Sequence, residues 1–238
     1  LVVRDILGRE QIIIQPYYVT PKLLKQGLQD YSYELGFVRK NFGTESNNYG
    51  LPVAVGTHRY GITEQFTGEI HGELLAQQQA VGLGYDLLLP AAGMLSGSFA
   101  MSRNKMGVGR LLKMGFNSQS RNFSFGANTQ LTSKRFGKLG QQLEDFSPRQ
   151  EKQMFATLAT IDYGSFSASY TQQLLHNRNG NKILKGSYSK NIGSVGSLNL
   201  SMNRYLSGDA KTSFALSFSM QLGNRINSSI NRSAHKGR

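Results

Sequence analysis

The residue types that could do chemistry are few and scattered. His58 and His71 flank a turn at about 63–65 almost symmetrically, which predicts that they face each other on adjacent strands. A metal site there would need a further ligand, with Glu69 and Glu73 the candidates. Glu34, Glu69, Glu73 and Asp86 could also serve as paired carboxylates for glycoside chemistry, but no spacing fixes such a pair. Ser102-Arg103-Asn104-Lys105 and Ser187-Tyr188-Ser189-Lys190 match S-x-x-K, a pattern short enough to arise by chance in a chain rich in Ser and Lys. Gly82-Leu83-Gly84 lacks the third glycine and the following helix of a dinucleotide loop. With no Cys there is no thiolate metal site, Cys nucleophile or disulfide framework. The residues therefore assign no catalytic group, cofactor or metal ion, and the chain reads as something other than an enzyme. Solvated polar residues are the plain alternative for the histidines and acids alike.

Charge narrows the partners. The 238 residues carry 27 Lys plus Arg against 14 Asp plus Glu, a formal net charge of +13. From Tyr163 to the end the sole acid is Asp209. The basic residues fall about one per strand or loop rather than in a stripe, and no stacking platform accompanies them, so nucleic acid is not the expected partner.

The elements that must position these residues alternate with period 2, which puts neighbouring residues on opposite faces of a strand. Phe214, Leu216, Phe218, Met220 and Leu222 interleave with Ser213, Ala215, Ser217, Ser219 and Gln221. The same holds for Tyr31, Tyr33, Leu35 and Phe37, for Val81, Leu83, Tyr85, Leu87 and Leu89, for Phe123 and Phe125, and for Leu198, Leu200 and Met202. Thirteen strands are predicted, at about 31–40, 51–62, 66–76, 80–89, 94–102, 108–117, 122–132, 153–161, 165–174, 183–191, 197–206, 212–222 and 226–234. Most are about ten residues, the length of a tilted membrane strand. Short connections at about 63–65, 90–93, 118–121, 162–164, 192–196 and 223–225 alternate with mostly longer ones at about 41–50, 77–79, 103–107, 133–152, 175–182 and 207–211. Short turns on one side and long loops on the other describe an outer-membrane barrel. The longest loop, at about 133–152, either folds over the pore mouth or lies unstructured on the surface.

No apolar run approaches the roughly 18 residues of a membrane helix, and no basic segment followed by an apolar one opens the chain as a signal peptide would. A soluble β-sandwich also alternates, with its oily face inward, but thirteen long strands with a small polar second face would be unusual there. No fixed repeat period suggests a solenoid or propeller.

Residues 1–30 break the rhythm. Leu1–Tyr18 reads as a hairpin with a turn near Leu7-Gly8-Arg9; Pro16 and Pro21 interrupt pairing, and Lys22–Leu28 reads as a connector. Here a longer motif appears. Val3-Arg4-Asp5 with Gly8-Arg9-Glu10-Gln11, Pro16-Tyr17-Tyr18, and Leu23-Leu24-x-x-Gly27-Leu28-x-Asp30-Tyr31-Ser32-Tyr33-Glu34-Leu35-Gly36 resembles the outer-membrane ushers of the chaperone–usher pilus pathway. Arg39-Lys40-Asn41-Phe42-Gly43 and Gly56-Thr57-His58-Arg59-Tyr60-Gly61-Ile62-Thr63 continue the resemblance, which covers about residues 3–75.

The resemblance implies a large barrel interrupted by a small plug domain. On it, residues 1–20 are the plug's last hairpin, 21–30 a connector, and 31–238 an incomplete set of transmembrane β-barrel strands, so the chain reads as a fragment. It implies an all-β pore in the outer membrane of Gram-negative bacteria that secretes and assembles pilus or fimbrial subunits delivered by a periplasmic chaperone. The implied partners are chaperone–subunit complexes, outer-membrane lipid and lipopolysaccharide, and a second usher copy. The alternative is a passive porin-like channel. The absence of Trp departs from the usual aromatic belt, which Tyr and Phe at strand ends can replace. On this reading Glu34, His58, Glu69, His71, Glu73, Asp86, Asn128, Asn199, Asn203 and Gln221 face a watery lumen. Arg110 and Arg204 sit on the oily face at the level of lipopolysaccharide phosphates.

Overall fold

A computed structural model describes residues 2–4, 10–12, 23–39, 44–137, 139, 148–177, 180–193, 196–207, 211–222 and 226–236, with most side chains beyond 219 and those of 1–22 left out. Strands β1 (Val2–Arg4) and β2 (Glu10–Ile12) pair antiparallel, as the head-hairpin reading expects. The other thirteen strands form one antiparallel sheet in which each pairs with its neighbour in sequence. They are β3 (Gln29–Arg39), β4 (Tyr49–Thr63), β5 (Phe66–Leu75), β6 (Gln78–Leu89), β7 (Gly93–Asn104), β8 (Gly107–Gln119), β9 (Phe123–Thr132), β10 (Gln150–Thr160), β11 (Gly164–Leu174), β12 (Asn181–Ile192), β13 (Gly196–Tyr205), β14 (Thr212–Leu222) and β15 (Ile226–Lys236). Among the described residues β3 and β15 are the two edges and do not pair with each other, so the sheet is open.

All thirteen predicted strands are present, and most extend a residue or two further at one end or both. The largest boundary difference is β10, which starts at Gln150 rather than near 153. Alternation fixes these strands because a one-residue slip would carry every oily side chain to the other face. The register keeps the two faces distinct across the sheet. Phe218, Leu216 and Phe214 lie opposite Leu198, Leu200 and Met202, while Ser219, Ser217 and Ser213 lie opposite Ser197, Asn199 and Asn203.

The distribution of burial is inverted relative to a soluble domain. Large apolar side chains of the oily face are exposed, among them Leu35 at 88%, Leu83 at 61% and Phe214 at 50%. Arg59, Thr67, His71, Glu73, Asp86, Ser102 and Gln130, all on the other face, are buried. An oily surface this extensive is found on a monomer only where lipid or another partner covers it. In β15, Arg232 lies in register with Leu216.

Candidate functional site: the polar face and what covers it

The site is the polar face of β3–β10, built by one register row. Asp30, Arg59, Glu69, Gly84, Ser98, Lys113, Gln130, Glu151 and Gln173 are direct neighbours from β3 to β11. Side chains in such a row stand about 5 Å apart, so opposite charges meet across strands. Arg59 is 2% exposed and is the hub. Its Nη2 donates to Asp86 Oδ2 at 2.8 Å, its Nε lies 3.2 Å from Glu69 Oε2, and its Nη1 lies 3.8 Å from Asp30 Oδ2. A guanidinium suits this place because its planar fork serves several carboxylates at once. Further along the row Gln130 Nε2 and Gln173 Nε2 each donate to Glu151 at 3.1 Å, one to each carboxylate oxygen.

One row away, His71 Nδ1 is 2.7 Å from Thr57 Oγ1, and His71 Nε2 is 3.2 Å from Glu73 Oε1. Glu73 Oε2 accepts from the Leu139 amide at 3.2 Å. A hydroxyl, an imidazole and a carboxylate thus form a chain, with the carboxylate engaged by a folded-back loop.

Among the described residues, that loop is one of two segments that cover the polar face. Phe136, 2% exposed, packs with Ala100 and Leu111. The Gly137 amide donates to Ser102 Oγ at 2.9 Å, and Asn104 Nδ2 donates to the Arg135 carbonyl at 3.1 Å. Gly109 makes this possible, since a Cβ there would strike the Phe136 backbone. The first part of the predicted 133–152 loop therefore folds inward over the sheet at its long-loop end. At the short-turn end the connector does the same. The Leu24 amide donates to Thr67 Oγ1 at 2.9 Å, the Gly27 amide to the Gly61 carbonyl at 2.8 Å, and the Gly61 amide to the Leu28 carbonyl at 2.9 Å. A side chain at Gly61 would meet the Lys25 carbonyl.

The predicted site residues divide into three groups. Glu69, His71, Glu73 and Asp86 come together on the covered polar face. Glu34, Asn128, Asn199 and Asn203 share that face but are apart from the cluster; Glu34 accepts from Ser32 Oγ at 3.0 Å, and the asparagines lie opposite Gly115, Ser217 and Ser213. Gln221 lies in β14 opposite Asn227, with its side chain outside the described residues.

His58 is the correction. It lies opposite Ile70 and Tyr31 on the oily face, not opposite His71. Its Nδ1 is 2.6 Å from Tyr33 Oη, and its ring stacks on Tyr31 at 6.0 Å. The cause is a β-bulge between Gly61 and Thr63. The turn pairs Thr63 with Phe66, but Gly61 then pairs with Thr67, so Ile62 is an extra residue and the phase of β4 reverses below it. The two histidines cannot share a metal ion. Among the described residues no three His, Asp or Glu side chains converge as a metal site.

Arg59 is what turn symmetry hid. The signal was present in Tyr60 and Ile62, large apolar residues in the phase of His58, with Thr57, Arg59 and Gly61 in the other. Arg110 and Arg204 are exposed on the oily face, opposite Met101 and Leu184 respectively.

The sequence profile described as "Outer membrane usher protein" matches residues 1–238. This chain belongs to the outer-membrane usher family. The usher chain is also similar to two solved structures. One is the translocation pore of the P pilus usher PapC, at 18% identity and a TM-score of 0.66, over 90% of this chain and 47% of that one. The other is an E. coli P pilus tip assembly intermediate, PapC-PapD-PapK-PapG in its second conformation, at 19% identity and a TM-score of 0.72, over 100% of this chain and 31% of that one. At such identities the likeness is one of fold. The usher chain thus spans about half or a third of the length of these structural relatives. No curated protein matches it.

Proposed function

We propose that the chain is part of an outer-membrane usher pore that secretes and assembles pilus or fimbrial subunits. The observation that carries this reading is the usher profile running the whole length of a sheet whose oily face is exposed and whose polar face is buried over β4–β9. An oily face toward lipid and a polar face toward water is the arrangement a barrel wall needs, because the bilayer leaves no unpaired backbone group unpunished. The polar residues Glu34, Glu69, His71, Glu73, Asp86, Asn128, Asn199, Asn203 and Gln221 then face the lumen, and His58 joins Tyr31 and Tyr33 on the lipid side. Residues 1–20 end the plug, 21–30 connect it, and 31–238 form barrel wall.

The mechanism is physical. Ser, Asn and small residues on β11–β14 give a lumen wall on which folded subunits slide without sticking. Subunits brought by a periplasmic chaperone join by exchange of a β-strand, a form of strand addition that makes no covalent bond and needs no cofactor. The PapC-PapD-PapK-PapG assembly of the structural neighbour supports chaperone–subunit complexes as partners. Lipid, lipopolysaccharide at Arg110 and Arg204, and a second usher copy complete the set.

The test is deletion and complementation of the full-length gene in its Gram-negative host. Surface fimbriae should vanish while chaperone-bound subunits accumulate in the periplasm, and the full-length gene should restore them. Unchanged surface fimbriae, with only small-solute uptake affected, would favour a passive porin-like channel instead.

A further inference from the structure

A notch opens on the oily face of β12–β14. A cavity of about 450 Å³ is lined by Gly186, Tyr188, Leu200, Met202, Phe214 and Leu216. Gly186, Met202 and Phe214 form one register row and Tyr188, Leu200 and Leu216 the next. Gly186 creates the notch, since a Cβ there would meet nothing within 4 Å. The Tyr188 ring, held against Phe166 at 4.6 Å, forms one wall.

Basic residues sit above the notch toward the long-loop end. Arg204 is two residues beyond Met202 on the same face, about 7 Å along the strand. Lys182 is four residues from Gly186, about 13 Å away. Lys152 shares Lys182's row through Gln172. An apolar slot beneath a set of cations fits an amphiphile with a charged head and an apolar tail, not a water-soluble anion.

We infer that β12–β14 hold a resident lipid A molecule, its phosphate on Arg204 and Lys182 and an acyl chain in the slot at Gly186. Lipid A rather than a phospholipid follows because the cations lie at the long-loop end, and the inference rests on the proposed barrel reading, which places that end outside the cell. Charge-assisted bonds from Arg and Lys favour a phosphate monoester, and no acid shares this part of the oily face among the described residues.

The experiment is native mass spectrometry of the purified full-length usher, mixed with lipid A or with phosphatidylglycerol. Wild type should retain one lipid A, and Arg204→Gln with Lys182→Gln should lower retention about tenfold. Gly186→Leu, which fills the slot, should lower it as well. Arg204→Gln alters an exposed side chain, so the test survives if Gly186→Leu does not fold. Equal retention by all variants, or equal retention of phosphatidylglycerol, would overturn the inference while leaving the barrel intact. A parallel His176→Cys variant on intact cells separates the two failures. Labelling by an impermeant thiol reagent supports the outside assignment, and absence of labelling would bring down both that assignment and the lipid site.

Discussion

The polar face of the sheet is two different surfaces. On β4–β9 it is charged, buried and covered by the chain's own connector and by residues 133–137 and 139. Arg59, Glu69, His71, Glu73 and Asp86 lie there. On β11–β14 it is mostly Ser, Thr, Asn and Gln, half-buried or exposed, and its charged residue is Lys185, opposite Ser169 and Asn203. The same backbone geometry serves both. On the proposed barrel reading, the difference means that the first half is built to hold something in place and the second to let something pass. A buried charge needs fixed partners, whereas a hydroxyl facing water offers a passing surface only weak, exchangeable bonds.

The comparison can be broken most easily at its hub. Arg59→Met leaves Glu69 and Asp86 buried without their cation, and removing one partner of a buried ion network costs about 3–5 kcal/mol. Asn199→Ala, on the open half, should stay within about 0.5 kcal/mol. The urea midpoint of the full-length protein in detergent micelles measures both, and comparable shifts would mean that the two halves do not differ. Next in size is the oily face. Leu216→Lys should cost roughly 2–4 kcal/mol at mid-membrane and block insertion, while Ser217→Lys should be tolerated. Equal membrane yields of the two would contradict the facing.

The histidines give a smaller contrast. His71→Phe strips one partner each from half-buried Thr57 and buried Glu73, a loss of about 1–3 kcal/mol. His58→Phe loses only the contact to Tyr33 on an apolar face, about 1 kcal/mol. Smallest in global terms is Phe136→Ala, which should loosen the folded-back loop and speed trypsin cleavage after Lys134 or Arg135 without preventing folding. Unchanged cleavage would mean that Phe136 does not pin the loop.

The strands were legible because their alternation is long and redundant. A run such as Phe214 to Leu222 states its period five times over. The covered half was less legible. Its register depends on a single extra residue, Ile62, which no composition reveals, and so His58 was expected on the wrong face and Arg59 was missed. The tuck of Phe136 depends on the absence of a side chain at Gly109, twenty-seven positions earlier, a long-range fit that no local pattern encodes. Lys113, Gln130 and Glu151 all join the charged row only once seven pairings are set.

Cysteine accessibility on two strands tests the central claim most directly, and the absence of native Cys makes the variants clean. Single cysteines would replace Ser98, Ala100 and Ser102 in β7, and residues 213–219 in β14, in the full-length protein in native outer membranes. With a membrane-impermeant thiol reagent, positions 213, 215, 217 and 219 should label rapidly. Positions 214, 216 and 218 should be protected by lipid, and 98, 100 and 102 protected by the covering segments. Rapid labelling at 98, 100 and 102 would contradict the covered half, and labelling at 214, 216 and 218 would contradict the assignment of the faces.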